Sequence, residues 1–124
     1  VGCSPAEIAK SILFLVGGAP ILVVTCGDMK VNSSRLKKAS GLCGKVKLPS
    51  ADEVLRYTGY APGGVCPFLL PADLPVFLDN SMQRFEMIYP AAGNDFSAVP
   101  IDCTTLQRAT NGTWVEVSIS LVSA

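Results

Sequence analysis

The sequence predicts one compact α+β domain, residues 1–124, whose mixed β-sheet is partly barrel-like and is flanked by short helices. A chain of 124 residues is long enough for a single core and too short for two ordinary domains. Hydrophobic residues make up 49% of it and charged residues only 16%, which is typical of a well-buried globular protein. Short apolar runs alternate with capped helical segments, without an internal repeat or a linker. This pattern favours strands and helices packed around one core.

The first part of the chain predicts a short helix followed by a hairpin. Ser4-Pro5-Ala6-Glu7 combines an N-cap serine, a proline at the first helical position and a capping-box glutamate. The helix is expected to run into a strand at 11–16, with Lys10 at the junction. The turn at 17–20, Gly-Gly-Ala-Pro, joins this strand to a second one at 21–25. Both strands are expected to be buried on both faces.

Two further helices are predicted from capping residues. Asn32 precedes a short basic helix that Gly41 is expected to end. After a short strand at 46–48, a second capping box, Ser50-Ala51-Asp52-Glu53, opens a helix that Gly59 should terminate.

The second half of the chain is predicted to contain a long loop and then short elements. The stretch from 59 to 75 is rich in proline and glycine, and loops of this length in compact domains usually serve a function. The elements expected after it are a strand at 75–78, a short turn of helix capped by Asp79 or Asn80, a strand at 87–89, a turn at 91–94, a helix at 103–109 and a strand at 114–119.

Charge is unevenly distributed although the net charge is zero. Residues 1–47 hold seven basic side chains and two acidic ones, whereas the remaining residues hold three basic and eight acidic. Such a basic region could contact a nucleic acid, or could be a solvated helix face. The charge pattern alone leaves both interpretations open.

The sequence excludes several kinds of catalytic machinery. It contains no histidine, which rules out Ser-His-Asp and Cys-His nucleophiles and nearly all common zinc sites. It has no P-loop, no dinucleotide-binding glycine motif and no cysteine pair with metal-ligand spacing. We therefore expect no metal and no cofactor. If the chain is an enzyme, it must work mainly with a lysine, backbone amides and the substrate's own groups.

The sequence predicts a protein of the cytoplasm without a membrane span, with an organelle as the alternative compartment. The uncharged stretch from Ser11 to Gly27 is 17 residues, about 25 Å as a helix, which is too short to cross a bilayer. No signal peptide is recognisable. The five cysteines are odd in number and lack CxxC spacing, so reduced and mostly buried thiols are expected.

Two features could carry chemistry. The loop 58–68, Thr-Gly-Tyr-Ala-Pro-Gly-Gly-Val-Cys-Pro-Phe, has glycines that let amides approach a ligand and prolines that fix its shape. It could equally be a structural turn. Lys10, at the start of a buried strand, could bind a phosphate as a point charge, or could simply be a surface lysine lying over apolar neighbours.

These segments resemble a known family. Residues 7–14, Glu-Ile-Ala-Lys-Ser-Ile-Leu-Phe, are followed by Cys-Gly-Asp at 26–28, by Thr-Gly-Tyr at 58–60 and by Gly-Gly-Val-Cys-Pro-Phe at 63–68. Their order and spacing resemble the YbaK-like and prolyl-tRNA-synthetase-associated aminoacyl-tRNA editing domains. The similarity extends through 77–79, 87–89 and 92–93, and so covers most of residues 4–101.

The resemblance implies a trans-acting hydrolase of the ester in a mischarged tRNA, typically a tRNA for proline carrying Cys or Ala. Its partners would be the acceptor end of tRNA and prolyl-tRNA synthetase, and no metal is implied. Water and the terminal ribose hydroxyl would carry out the attack. The resemblance assigns catalytic roles to Lys10, Gly63 and Gly64 and substrate-binding roles to Val65, Cys66 and Pro67. Tyr60, Asp79 and Gly93 are further substrate-binding candidates, and Cys66, Tyr60 and Asp79 could equally be structural.

Two departures from the family pattern leave alternatives open. Family members have a further N-terminal segment that forms one wall of the pocket, and this chain, which starts at Val1, is expected to lack it. Where the family has a basic stretch after 92–93, this chain has Asn94-Asp95. A catalytically inactive module that binds tRNA or a synthetase is therefore the alternative. A hydrolase with Cys66 as nucleophile is disfavoured, because no histidine can activate the thiol.

Overall fold

The protein, described here by a computed structural model, is resolved into two sheets and three α-helices over residues 8–61, 65, 67–68, 70–71, 73–90 and 100–120. No helix within these ranges is long and apolar enough to cross a membrane. In chain order the elements are β1 (Ile8–Val16), β2 (Ala19–Cys26), β3 (Met29–Val31), α1 (Ser33–Ser40), β4 (Val46–Lys47), α2 (Ala51–Thr58), β5 (Val76–Asp79), a 3-10 helix (Asn80–Arg84), β6 (Tyr89–Pro90), α3 (Cys103–Thr110), β7 (Thr113–Val115) and β8 (Ser118–Ser120).

The larger sheet has six strands in the order β4-β1-β2-β5-β7, with β6 also paired to β1. β1 and β2 form an antiparallel hairpin, whereas β2, β5 and β7 run parallel to one another. The predicted mixed sheet with short flanking helices is thus confirmed. The expectation of a partly barrel-like sheet is corrected to this extent: the strands of the described residues do not close into a barrel. β3 and β8 form a separate two-stranded sheet.

The start of β1 corrects the prediction that a helix runs up to Lys10. Ile8, Ala9 and Lys10 are extended and belong to the strand. Ala9 pairs with Cys26 on one side and with Pro90 on the other. Pairing with two neighbours outweighs the local helix signal, because strand formation depends on non-local partners more than on propensity. The predicted helix start at 4–7 lies outside the described residues.

The two faces of the larger sheet bury different cores. Residues opposite each other in a ladder point to the same face, so the register separates the side chains into two sets. One set packs with α2 and α3 and defines the α2/α3 face; the other packs with α1 and defines the α1 face. On the α2/α3 face the sheet contributes Ala9, Leu13, Leu22, Val24, Cys26, Val76 and Leu78, and the helices contribute Val54 and Leu106. On the α1 face Val16, Ile21 and Val23 pack with Leu36 of α1 and with Val117.

Burial differs between the two hairpin strands. Residues 21–26 of β2 are all buried, as predicted for a central strand covered on both faces. In β1, Ser11, Ile12 and Phe14 remain half-buried, so the prediction of burial on both faces is correct only in part there.

The helix boundaries follow from the caps that the sequence contains. Asn32 accepts a hydrogen bond from the Arg35 amide at 3.0 Å and begins α1. Ser50 and Glu53 form the predicted reciprocal box, with distances of 3.2 and 2.9 Å, and begin α2. Gly59 ends α2 in the left-handed conformation, with a φ of 80°. These predictions are confirmed.

The hairpin turn packs against the loop that follows α1. Gly17 has a φ of 59° and Gly44 a φ of 113°, both in the positive region that favours glycine. A Cβ on Gly17 would collide with the carbonyl oxygen of Cys43, and one on Gly44 would lie 2.5 Å from the Gly17 Cα. The Gly17 amide also donates to the Lys45 carbonyl at 3.0 Å. The loop is therefore fixed to the end of the hairpin.

The last third of the chain differs from prediction in its strands. The strand expected at 87–89 is β6, at Tyr89–Pro90, and the turn expected at 91–94 lies outside the described residues. Asp79 caps the 3-10 helix through the Ser81 amide at 3.1 Å, as predicted. The single strand expected at 114–119 is two strands: β7 extends the larger sheet and β8 pairs with β3. Glu116 and Val117 lie between them, and β3 itself was not predicted because its partner among the described strands is the distant β8.

Candidate functional site

Lys10 lies in β1 near one end of the larger sheet and is half-buried. It pairs with Thr25 of β2, so the two side chains share the α1 face. The preceding residue, Ala9, pairs with Pro90 of β6. The backbone that holds Lys10 is thus fixed on both sides by neighbouring strands, although the lysine is not at the helix–strand junction that the sequence predicted.

Asp79 lies on the same face at the end of β5 and is fully buried. Its carboxylate accepts hydrogen bonds from the Ser118 hydroxyl at 2.5 Å, from the amides of Val117 and Ser81 at 2.9 and 3.1 Å, and from the Thr25 hydroxyl at 3.4 Å. A carboxylate with this many donors is stabilised in its ionised form. Asp79 therefore joins β2, the 3-10 helix and the segment leading to β8.

The pKa of Asp79 reflects two opposing effects. Burial by itself would raise it, but the hydrogen bonds from Ser118 and from the backbone amides outweigh burial, and the pKa lies below its usual value. Thr25 lies between Asp79 and Lys10 in the register of the sheet. The ion pair found among the described residues joins Arg84 to Asp28 at 2.8 Å and involves neither Lys10 nor Asp79.

The candidate loop begins where α2 ends and is braced across its ends. The Tyr60 hydroxyl donates to the Phe68 carbonyl at 2.6 Å. At the helix end the Tyr60 amide donates to the Thr58 hydroxyl at 3.1 Å, and that hydroxyl donates to the Val54 carbonyl at 2.6 Å. Tyr60 thus connects the C-terminus of α2 to the far end of the loop.

The described part of the loop packs on the α2/α3 face. Val65 and Phe68 contact the core cluster of that face, and Pro67 is buried. Pro67 also lines a cavity of about 630 Å³ that reaches Asn111 and Thr113. Lys10 points its Cβ to the other face, so the described residues do not place Lys10 and this part of the loop on one side of the sheet.

The remaining predicted site residues are Gly63, Gly64, Cys66 and Gly93, and they lie outside the described residues. The meeting of Lys10 with the amides of 63–67 is therefore still a prediction. Gly93 comes three residues after the end of β6 at Pro90. Pro90 pairs with Ala9, which directly precedes Lys10 in β1.

Sequence analysis missed the buried polar partners of Asp79. Thr25 and Ser118 have no accessible surface or almost none, with exposed fractions of 0% and 4%. Thr25 is a hydroxyl residue within an apolar strand, and this signal could have identified it, whereas Ser118 lies in the short strand Ser-Ile-Ser and carries no such signal. It was not used because their partner is 54 residues away from Thr25 and 39 from Ser118.

A polar groove next to Asp79 was also not predicted. It has a volume of about 630 Å³ and lies beyond the C-terminal end of β5. Arg84 in its wall is held by the Ser81 carbonyl at 2.8 Å and by Asp28, whose hydrogen bond raises the pKa of the guanidinium. The residues that line the groove are Met29, Arg35, Asn80, Ser81, Gln83, Arg84, Glu116, Ser118 and Ile119.

The described cysteines are free thiols with different environments. Cys26 is buried, as expected, but Cys43 is exposed, so the expectation of mostly buried thiols is wrong at that position. Cys103 is half-buried, and burial raises the pKa of its thiol. Its Sγ donates to the Met82 carbonyl at 3.4 Å. A thiol with a raised pKa is a poor nucleophile at neutral pH.

Comparison with solved structures supports the fold. A proposed trans-editing enzyme for prolyl-tRNA synthetase superposes with a TM-score of 0.86 at 22% identity, over 96% of this chain and 74% of the other. The hypothetical protein APE2540 superposes with a TM-score of 0.83 at 30% identity, over 95% of this chain and 78% of the other.

Sequence comparison gives relatives of two kinds. The uncharacterized protein YwhH of Bacillus subtilis (strain 168) is 37% identical over 119 residues, which is 94% of this chain and 74% of YwhH. A proline–tRNA ligase of Bacillus licheniformis is 34% identical over 93 residues. That match covers 75% of this chain but only 16% of the ligase, so this chain corresponds to one part of the larger enzyme.

The family model described as "Aminoacyl-tRNA editing domain" matches residues 1–109, a range that contains Lys10, the braced loop and Asp79. With the same fold in its structural neighbours and a match to part of the proline–tRNA ligases, the chain belongs to the aminoacyl-tRNA editing domain family.

Proposed function

We propose that this chain is a trans-acting aminoacyl-tRNA deacylase that hydrolyses the ester of a mischarged tRNA. The observation that carries the proposal is the family match over residues 1–109. The similarity to part of the proline–tRNA ligases supports a tRNA for proline carrying Cys or Ala as the first substrate to examine. Cytoplasmic location and contact with prolyl-tRNA synthetase belong to the same proposal.

In the proposed reaction, water adds to the ester carbonyl and the bond between that carbon and the ribose oxygen breaks. The products are the free amino acid and a tRNA with a free terminal hydroxyl. Lys10 would bind a phosphate near the tRNA terminus as a point charge. The backbone amides of Gly63 and Gly64 would hold the carbonyl oxygen as negative charge develops on it. Proximity to the second ribose hydroxyl would replace a general base from the protein.

The other candidates would position these groups or form the walls of the pocket. Asp79 is fully buried and would act indirectly, by fixing Thr25 beside Lys10. The Tyr60 brace would hold the loop in one conformation. Wall positions are proposed for Val65, Cys66, Pro67 and Gly93.

A module that binds tRNA or a synthetase without turnover is the second candidate function. It is favoured by the packing of Val65 and Phe68 on the α2/α3 face while Lys10 projects from the α1 face. The Asn94-Asp95 stretch, which replaces a basic one, favours it too. Salt-sensitive tRNA binding without hydrolysis of any aminoacyl ester would support this candidate over the first.

Deacylation assays on Cys- and Ala-charged tRNA for proline test the proposal, with the wild type compared with Lys10→Ala. We expect the wild type to hydrolyse at least one ester and Lys10→Ala to be slower by about tenfold or more, because a charged contact is lost. Arg108→Ala, which removes an exposed positive charge on α3, is the matched control and should keep the wild-type rate. A Lys10→Ala variant that remains fully active would remove Lys10 from the site. If the wild type hydrolyses neither ester, the deacylase proposal fails and the binding module is the function that remains.

A further inference from the structure

The six basic residues between Lys30 and Lys47 are all exposed, and residues 29–51 contain no acidic side chain. They belong to β3, α1, the loop that follows α1, and β4. We call this set the basic stripe: Lys30, Arg35, Lys37, Lys38, Lys45 and Lys47. The sequence left open whether this region is a nucleic-acid contact or an ordinary solvated face.

The fold holds the stripe in a fixed arrangement. Leu36 is fully buried and anchors α1 on the α1 face, so Arg35 and Lys37 flank the buried side of the helix and Lys38 points away from it. The Arg35 guanidinium donates to the Ser118 carbonyl at 2.9 Å. Lys45 is tied to the hairpin by its carbonyl, which accepts from the Gly17 amide.

No close ion pair neutralises the charges of the stripe within the described part of the chain, although Lys47 interacts at longer range with Glu53 of α2. The ion pair found there joins Arg84 and Asp28, and none of the stripe's ammonium or guanidinium groups lies within ion-pair distance of a described carboxylate. Closely spaced cations of one sign repel each other, which costs stability unless an anionic partner is bound. A structured row of this kind suits a ligand with several negative charges at regular spacing.

The α1 part of the stripe lies on the same side as the candidate site, whereas Lys47 pairs with Leu15 and therefore projects from the α2/α3 face. α1 covers the face from which Lys10 and Thr25 project. A nucleic acid whose terminus lies at Lys10 could place the phosphates of its adjoining stem along α1.

We propose that the basic stripe binds the phosphate backbone of the acceptor arm of tRNA, independently of sequence, while the aminoacyl end occupies the site near Lys10. This inference rests on the proposed function for the identity of the nucleic acid. Recognition of phosphates by exposed lysines supplies affinity and salt dependence rather than sequence preference.

Binding of uncharged tRNA for proline to Lys37→Gln/Lys38→Gln, measured between 50 and 200 mM salt, tests the stripe without requiring turnover. We expect weaker binding and a slope of log affinity against log salt that is shallower by about 2, since about one released counterion is lost per lysine. The matched control is Arg56→Gln/Arg108→Gln. These residues also occupy the last turns of helices, so the double variant loses the same charge and the same interaction with the helix dipole.

Each outcome is decisive for the stripe. A wild-type slope in Lys37→Gln/Lys38→Gln would overturn it, as would an equal change in the control, because the effect would then belong to net charge. The proposal would also be overturned if the wild-type protein does not bind tRNA. The same holds if polyglutamate of matched charge displaces the bound tRNA as effectively as unlabelled tRNA does. If the shallower slope is found but no ester is hydrolysed, the stripe stands and the deacylase proposal fails. If the wild type hydrolyses an ester but Lys37→Gln/Lys38→Gln keeps the wild-type slope, the deacylase proposal stands and the stripe fails.

Discussion

The carboxylate of Asp79 holds together parts of the chain that are far apart in sequence. Its hydrogen bonds come from Thr25, Ser81, Val117 and Ser118, and its exposed fraction is 0%. Removing the charge of a buried group while its donors remain leaves those donors poorly paired. The buried carboxylate that stabilises the fold also contacts the candidate site, because its donor Thr25 pairs with Lys10.

Replacing Asp79 with Asn should reduce the free energy of unfolding by about 2–4 kcal/mol, because an amide cannot accept from all of these donors. Urea denaturation at neutral pH measures the change. Asp73→Asn, which alters an exposed carboxylate, is the matched control and should cost little. An equal loss in both variants would contradict a special role for the buried group.

The comparison of wild type with Asp79→Asn also predicts how the free energy of unfolding depends on pH. The pKa of Asp79 is lowered in the folded state, so its stabilisation is fully present above the unfolded value of about 3.9. It is lost as the pH falls from there through the folded pKa. The difference in unfolding free energy between wild type and Asp79→Asn should therefore be constant from about pH 5 to 7 and shrink below about pH 4.

Among the elements, the loop after α2 is braced by a side-chain hydrogen bond between described residues. Tyr60 joins the end of the helix to Phe68 through a bond of 2.6 Å. Gly59 ends the helix and turns the chain into the loop. Loop residues that serve a site must be held in place by contacts of this kind, because their own backbone has few partners.

Tyr60→Phe should lower the stability by only about 1 kcal/mol but reduce kcat/KM for the aminoacyl ester more strongly, because the loop loses its brace. Amide exchange at Val65 and Phe68, measured together with turnover, should become faster. Tyr57→Phe removes a hydroxyl from the preceding helix and serves as the control. If both variants keep wild-type turnover, the brace has no part in the reaction.

Local signals predicted those elements whose cause is local. The caps of α1 and α2 lie within four residues of the helices they begin, and both were predicted with correct starts. The helix expected up to Lys10 was wrong, and β3 was missed, because their conformations depend on β2, β6 and β8 far along the chain. The strand predicted at 114–119 was divided for the same reason.

The candidate site was predictable only where a motif marks it. Lys10 and the glycine-proline loop were identified from their order and spacing, and the family match confirms the family to which they pointed. Their arrangement in space could not be derived, since it depends on the face to which each strand residue points. The partners of Asp79 come from three separate segments, and no sequence window contains them all.

At the scale of the whole molecule, one sheet separates two cores that share its central strand. Val23 faces the core under α1, and Val24 faces the core under α2 and α3. Since every residue of β2 from 21 to 26 is buried, neither core can open without exposing it. The two cores should therefore unfold together.

Leu36→Ala and Leu78→Ala truncate fully buried residues on opposite faces, and each should cost about 2–5 kcal/mol. Both should shift one common transition, seen alike by circular dichroism and by fluorescence of Trp114, which packs against the core of the α2/α3 face. Separate transitions in Leu36→Ala would show that α1 and its core unfold independently.

The parallel pairing of β2 with β5 and of β5 with β7 has a consequence for synthesis on the ribosome. The hairpin of β1 and β2 can form as soon as it emerges, but β7 at 113–115 pairs with β5, and β5 itself, the parallel partner of β2 at 76–79, is made much later. Until then the unpaired edge of β2, formed by apolar residues, is open to other nascent chains. Chaperone contact with the emerging polypeptide would be most valuable in that interval, before the final strand has left the exit tunnel.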